Sequence, residues 1–479
     1  MSEAESNNTT TYNERLILFV LATVQFITIV DFMIVMPLGP QLMRVLQIDP
    51  SAFGLIVSSY TFAAGLAGLV ASATVDRFSR KSAFLVLYAG FILGTLLCGL
   101  APNYVTLVLA RVLTGAFGGI LGGISMAIIG DVFPDSRRGR ATGAMMTGFA
   151  IASVAGVPLG LVIGNHFGWN MTFIALALAG LPVLFVAAYS LPSLDAHFGE
   201  ARVHPLESLR RTFTVPNHLN AFALIIALTC SGFLIFPYIS AYFVGNIGMS
   251  EQQLPWVYIA GGGLTFVASP IIGRWADRAG KLLVFRVIAP LSAALMFAIT
   301  HLYEGGIVLA IAVFGALMVC NVGRMIPAMA MITASVAPRH RGSFLSANSS
   351  VQHIFGGVGA YVGGLFVTQA GEGAALEGFG TVGWIAAVVG MSSLWLAGRL
   401  RSGEQPETVS ATELSLPAAA EAAYDPGEPM IAFVDGAAEV GDVRLQSFER
   451  DLHHESVDHL PELNSTHAVR PQVRRDAID

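Results

Sequence analysis

Charge is what this sequence lacks. Of its 479 residues only 12% are Asp, Glu, Lys or Arg, half of the roughly 25% usual in a soluble domain. So few charges cannot clothe the two or three soluble domains that such a length implies. They also exclude a nucleic-acid binder and a wholly disordered chain. Cysteine is equally scarce. Cys98, Cys230 and Cys320 lie far apart in apolar stretches, which makes no disulfide framework and leaves them as small core hydrophobes. His453, His454 and His459 have no cysteine at metal-ligand spacing, so neither metal nor cofactor is expected. No nucleophile–base set marks an enzyme. No cleavable signal peptide is expected either, because the first 14 residues are polar and the apolar run after them is too long.

What is present is apolar. Hydrophobic residues make up 54% of the chain, with 51 glycines and 30 phenylalanines, and the mean hydropathy is +0.66. About 20 apolar residues carry a helix across the hydrocarbon core. Twelve runs meet that length, near 16–38, 53–74, 82–100, 104–130, 141–163, 171–191, 219–244, 254–272, 282–302, 306–335, 343–367 and 378–400. They are too long and too uniformly apolar for the alternating strands of a barrel, about 10 residues each. The expected fold is an all-α membrane protein of twelve transmembrane helices.

Lys and Arg in the short loops orient the spans. Loops after even-numbered spans carry 14 of them, among them Arg77, Arg80, Lys81, Arg137, Arg138, Arg274, Arg278 and Arg341; loops after odd-numbered spans carry Arg44 alone. Both termini are therefore expected in the cytoplasm, and the protein in the plasma (inner) membrane. Residues 401–479 hold 16 acidic and 6 basic residues, a net −10, against +4 for residues 1–400. That tail reads as a cytoplasmic, mostly disordered appendage.

The longest inward loop, 192–218, divides the spans six and six. Residues 1–15 form a short cytoplasmic segment, 16–191 the first bundle and 219–400 the second. The halves echo each other: Asp76-Arg77 recurs as Asp277-Arg278 at an offset of 201, and Arg138 recurs as Arg341 at 203. A duplicated six-helix unit is the signature of alternating-access carriers.

Specific residues add a family resemblance. The loop after span two, Ser72-Ala73-Thr74-Val75-Asp76-Arg77-Phe78-Ser79-Arg80-Lys81, is similar to the G-x-x-x-D-R-x-G-R-K pattern of the major facilitator superfamily, with serines at both glycine positions. The copy after span eight keeps Gly273 and Gly280. Span four carries Arg111 and Gly115 in an R-x-x-x-G arrangement. Span five carries Gly148, Gly156-Val157-Pro158 and Gly160, which resembles the family's antiporter motif with Val157 in place of a glycine. The chain thus resembles the twelve-span drug and sugar efflux branch over about 15–400. The resemblance implies two pseudo-symmetric six-helix bundles and a proton-coupled antiporter exporting a small drug-like compound or metabolite. Its partners would be that solute, protons and membrane lipid, and it would act as a monomer. The alternatives are uptake by a proton symporter and a non-transport receptor.

Three ionisable residues stand well inside spans, Asp31, Arg111 and Arg324, and such residues are costly and usually functional. In the family's layout spans one, four, seven and ten surround the central cavity, so the resemblance implies that all three face it. A carboxyl caught between desolvation and a nearby guanidinium can exchange its proton when its exposure changes, whereas arginine cannot deprotonate. Asp31 is therefore the expected proton carrier, tuned by Arg111. The alternative is a static ion pair joining spans one and four. Gln25, Asn321, Arg324, Asn348, Gln352 and His353 could form the substrate's hydrogen-bonding wall, or could bridge helices. Two arginines against one aspartate would favour neutral or anionic substrates. Asp76, Arg77, Arg80, Asp277 and Arg278 sit where a cytoplasmic gate would close, although such clusters also serve as topology signals. Gly148, Gly156 and Gly160 form a smooth stripe beside Pro158, which the resemblance places where the bundles slide or seal; plain tight packing is the other reading.

Overall fold

A computed structural model describes residues 13–74, 78–192, 212–302, 306–337, 340–371 and 374–401. The described chain is almost wholly helical. The first bundle holds span one Glu14–Ile34, span two Pro50–Thr74, span three Arg80–Gly99, span four Tyr104–Val132, span five Asp135–Ile151 continuing as Val157–Phe167, and span six Trp169–Ser190. The second holds span seven from Pro216–Phe233, span eight Leu254–Ala279, span nine Lys281–Thr300, span ten Gly306–Ala334, span eleven Arg341–Leu365 and span twelve Phe379–Arg399.

Eleven of these helices are long and apolar enough to cross a membrane. Span eleven has the length, 25 residues, but Ser343, Ser346, Asn348, Ser349, Ser350, Gln352 and His353 lower its hydropathy. Two other departures have local causes. Span seven stops at Phe233 and resumes as Ile239–Gly245 after a 3₁₀ turn, Phe236–Tyr238, where Pro237 has no amide proton to donate. Span five passes through a π-helical turn, Ala152–Gly156, just before Pro158.

The packing repeats between halves. Span two lies on span four, three on four and six, and one on five and six; likewise eight lies on ten, nine on ten and twelve, and seven on eleven and twelve. The bundles meet along two seams, span two against eleven and span five against eight. Such a pattern is what a pseudo-twofold relation between duplicated units gives.

The apolar core is unevenly shared. At the ends of the spans with weakly charged loops, Leu42, Phe53, Tyr238, Ile239, Phe243 and Phe379 belong to one cluster common to both bundles. At the basic ends each cluster stays within one bundle. Ile17, Phe84 and Ile128 pack within the first bundle, and Phe222, Ile332 and Phe344 within the second. The molecule is therefore joined at the weakly charged end and divided at the basic end.

Candidate functional site

The first site is built by close helix approach. On span four, Arg111 and Gly115 are one turn apart and share a face. A Cβ on Gly115 would collide with the carbonyl oxygen of Tyr60 on span two, so the glycine admits that backbone and lets the Tyr60 ring cover the guanidinium, 4.3 Å from Arg111 Cζ. A Cβ on Gly94 would come within 2.9 Å of the Thr114 backbone, which draws span three against span four. Thr95, the next residue, thereby reaches span one.

Asp31 lies at the focus. Arg111 Nη1 donates to Asp31 Oδ2 at 2.8 Å, and Thr95 Oγ1 donates to Asp31 Oδ1 at 3.0 Å. Asp31 is 0% exposed and Arg111 1%. The pair is fully sealed, capped by the Tyr60 ring, with the tilted Phe32 ring 5.3 Å beyond it and Phe233 of the second bundle 6.0 Å from Phe32. Tyr60 and Thr95 carried no signal in the sequence, since a single tyrosine or threonine in a span is common.

Arg324 forms a second polar centre, separate from the first. Its Nη2 donates to Asn321 Oδ1 at 2.8 Å, to Ser231 Oγ at 3.0 Å and to the Leu228 carbonyl at 3.2 Å. It is fully buried between spans seven, ten and twelve, so neither arginine nor Asp31 is open to solvent in this conformation. The other expected wall residues are dispersed. Gln25, Asn321, Gln352 and His353 are half-buried, and Asn348 is buried with its Oδ1 unpaired. The His353 ring contacts the Ser349 carbonyl of its own helix at 2.8 Å.

The expected gate residues divide similarly. Asp76 and Arg77 lie outside the described residues. Arg80 pairs with Asp131 at 3.4 Å, inside the first bundle. Asp277 and Arg278 are exposed at the basic end of span eight. The placement of the span-five glycines differs from the expected bundle interface. A Cβ on Gly148 would meet Ala22 and Phe26, one on Gly156 would meet Val30 and Phe26, and one on Gly160 would meet Ile34, so the stripe packs on span one within the first bundle. Pro158, buried beside it, acts through the π turn instead. The seam with the second bundle falls on that turn, with Ser153 and Val154 against Gly262. Toward the basic ends this seam widens into a cavity of about 550 Å³ lined by Met146, Phe149, Ser153, Thr265, Phe266 and Ser269.

At the opposite end a link went unforeseen. Arg44, the sole basic residue of its set of loops, makes an ion pair with Glu251 of the second bundle, and Asn165 Nδ2 donates to the Glu251 carbonyl at 2.8 Å. Among the described residues no group of His, Cys, Asp and Glu could hold a metal ion.

Comparison with known proteins agrees with this architecture. The family model described as Major Facilitator Superfamily matches residues 21–323, more than half of the chain. This chain belongs to the major facilitator superfamily. It is a membrane transporter and not an enzyme. Superfamily relatives include the inner membrane transport protein YdhP of Escherichia coli (strain K12), 26% identical over 383 residues, covering 78% of this chain and 93% of that protein. An uncharacterized MFS-type transporter, YbcL of Bacillus subtilis (strain 168), is 24% identical over 377 residues, covering 78% and 94%. Among solved structures, a D-xylose-proton symporter superposes with a TM-score of 0.68 at 13% identity, covering 81% of this chain and 98% of that one. A bacterial homolog of the human lysosomal transporter Spinster, inward-facing and unoccupied, gives 0.65 at 14% identity, covering 80% and 96%. These likenesses carry the superfamily fold.

Proposed function

We propose that the protein is a proton-coupled antiporter that exports a small organic solute by alternating access. The observation that carries this reading is the sealed Asp31–Arg111 pair, a carboxylate and a permanent cation buried against the end where the bundles are joined. With basic loops on the cytoplasmic side, the joined end is the outer one and this conformation opens inward. Rocking to the outward-open state parts the outer seam and exposes Asp31 to the outside. Asp31 then takes up a proton there and releases it after the return, while Arg111 holds the site's charge fixed. The glycine-proline motif of span five supports export. Gln25, Asn321, Asn348, Gln352 and His353 offer hydrogen bonds to the solute, and Asp277 and Arg278 serve the closing of the inner end. The protein acts as a monomer in the inner membrane with both termini in the cytoplasm.

The test uses proteoliposomes and a compound to which a deletion strain becomes hypersensitive. An imposed proton gradient should drive wild-type transport of that compound, and its sign reports the direction. Asp31→Asn should be inserted and monodisperse yet show no gradient-driven flux. Full gradient-driven flux in that variant removes Asp31 from the mechanism.

A further inference from the structure

The two buried arginines differ in one respect that matters. Arg111 has a carboxylate partner; among the described residues Arg324 has none. All the hydrogen bonds of Arg324 run from Nη2 to uncharged acceptors, while Nε and Nη1 are buried without partners. A guanidinium has five N–H donors, so three of them point at nothing. The sequence holds no internal remedy. From Pro216 to Arg399 the acidic residues are Glu251, Asp277, Glu304, Glu372 and Glu377. Among the described ones, Glu251 and Glu377 lie outside the spans and Asp277 is exposed at the tip of span eight. A buried, unpaired charge is strongly destabilising, and three idle donors add to that.

Span twelve faces Nη1 with a glycine, Gly390, whose Cβ would stand 3.4 Å from that nitrogen. Ser231 is buried alongside. Arg324 is 18 residues into span ten and Arg111 only seven into the matching span four. At 1.5 Å per residue the two centres differ in depth by about 16 Å, so one ligand group does not serve both.

We infer that Arg324 is the anchor for an anionic group of the transported solute, and that this group is a monocarboxylate. One negative charge neutralises the bundle interior, whereas a dianion would leave it charged again. A carboxylate also supplies several acceptor lone pairs for the idle N–H groups, and such charge-assisted bonds are about twice as strong as neutral ones. The inference rests on the transport reading and names the substrate class of that site.

The test is ligand-dependent thermal unfolding of the purified full-length protein at constant ionic strength. The probes are acetate, benzoate and indole-3-acetate, with benzamide as a neutral control and chloride as the inorganic source of the same charge. At least one carboxylate should raise the unfolding midpoint saturably by several degrees, and benzamide should not. Arg324→Met should abolish the shift while leaving the ligand-free midpoint equal or higher, because it removes an uncompensated charge. A lowered ligand-free midpoint with the carboxylate shift intact marks a structural arginine and overturns the inference. Arg324→Lys keeps the charge without the fork and should need at least tenfold more carboxylate. An Arg324-dependent shift with chloride alone, or no Arg324-dependent shift at all, also overturns it. The assay imposes no proton gradient, so its failure leaves proton-driven transport standing, and the Asp31→Asn experiment judges that reading separately.

Discussion

Arg44 and Glu251 join the two bundles at the weakly charged end, with Arg44 Nη2 donating to Glu251 Oε2 at 3.1 Å. The pair is partly exposed, 46% for Arg44 and 16% for Glu251, so its Coulomb energy is screened and about 0.2–1 kcal/mol is the expected scale. That is small for folding. It is enough to move a balanced two-state equilibrium about fivefold at most.

Arg44→Glu should therefore favour opening of this end. A cysteine at Ser51, beside Gly364 in the same seam, reports the change as faster maleimide labelling, by a few-fold. The charge swap Arg44→Glu with Glu251→Arg should return labelling to the parent rate. Equal labelling in all three proteins would show that the apolar cluster alone holds the seam.

The Asp31–Arg111 pair has a different energetic character because no water reaches it. Removing one member of a buried pair strands the other, at about 3–5 kcal/mol. Asp31→Leu should lower thermal stability on that scale, and so should Arg111→Leu. The double variant should recover most of the loss, because it strands no charge. Additive losses in the cycle would mean that the two groups are not coupled. Asp31→Asn keeps one acceptor oxygen for Arg111 and turns the other position into an NH2 donor that the Thr95 hydroxyl can accept, so it should cost less than Asp31→Leu, which makes it the better variant for transport work.

The sequence disclosed some of this plan and withheld the rest for a physical reason. Asp31, Arg111 and Arg324 stood out because ionisable groups are expensive in hydrocarbon, and the duplicated loops located the halves. Rotation about each helix axis left no such trace. The glycine stripe Gly148, Gly156 and Gly160 is equally legible whichever neighbour it faces, and only the packing assigns it to span one. Tyr60 and Thr95 reach the buried pair through glycines on spans four and three, a tertiary fact. Nothing in the sequence marks Glu251, whose 3₁₀ turn stands opposite Arg44 only in the folded chain.

Gly115 invites a direct test of close approach. In Gly115→Ala the new methyl meets the Tyr60 carbonyl oxygen, a backbone atom that cannot step aside. Overpacking of this kind costs about 1–3 kcal/mol, and it should lift the Tyr60 ring from Arg111. Gly123, on the same helix, has nothing within 4 Å of its would-be Cβ. Gly123→Ala should be neutral or stabilising by up to about 1 kcal/mol, since alanine favours helix over glycine. Thermal unfolding of the two variants in one detergent separates local clash from general helix propensity.

Pro158 ties span five's backbone to the seam. With no amide proton it cannot donate to the turn before it, and that turn is π-helical, with Val157 N–H donating to the Ala152 carbonyl. The same turn carries Ser153 and Val154 against Gly262 of span eight. Pro158→Ala restores the missing donor, so the segment should relax toward a regular α-helix and draw Ser153 away from span eight. Helix stability should rise, by no more than about 3 kcal/mol, visible as a higher unfolding midpoint. Transport should slow, because a π turn is a place where a helix changes direction at little cost and a straightened span five loses that joint. A Ser153→Cys label should report the displacement directly through faster modification. Higher stability with unchanged label reactivity and unchanged transport would mean that the turn only accommodates the proline and takes no part in the motion.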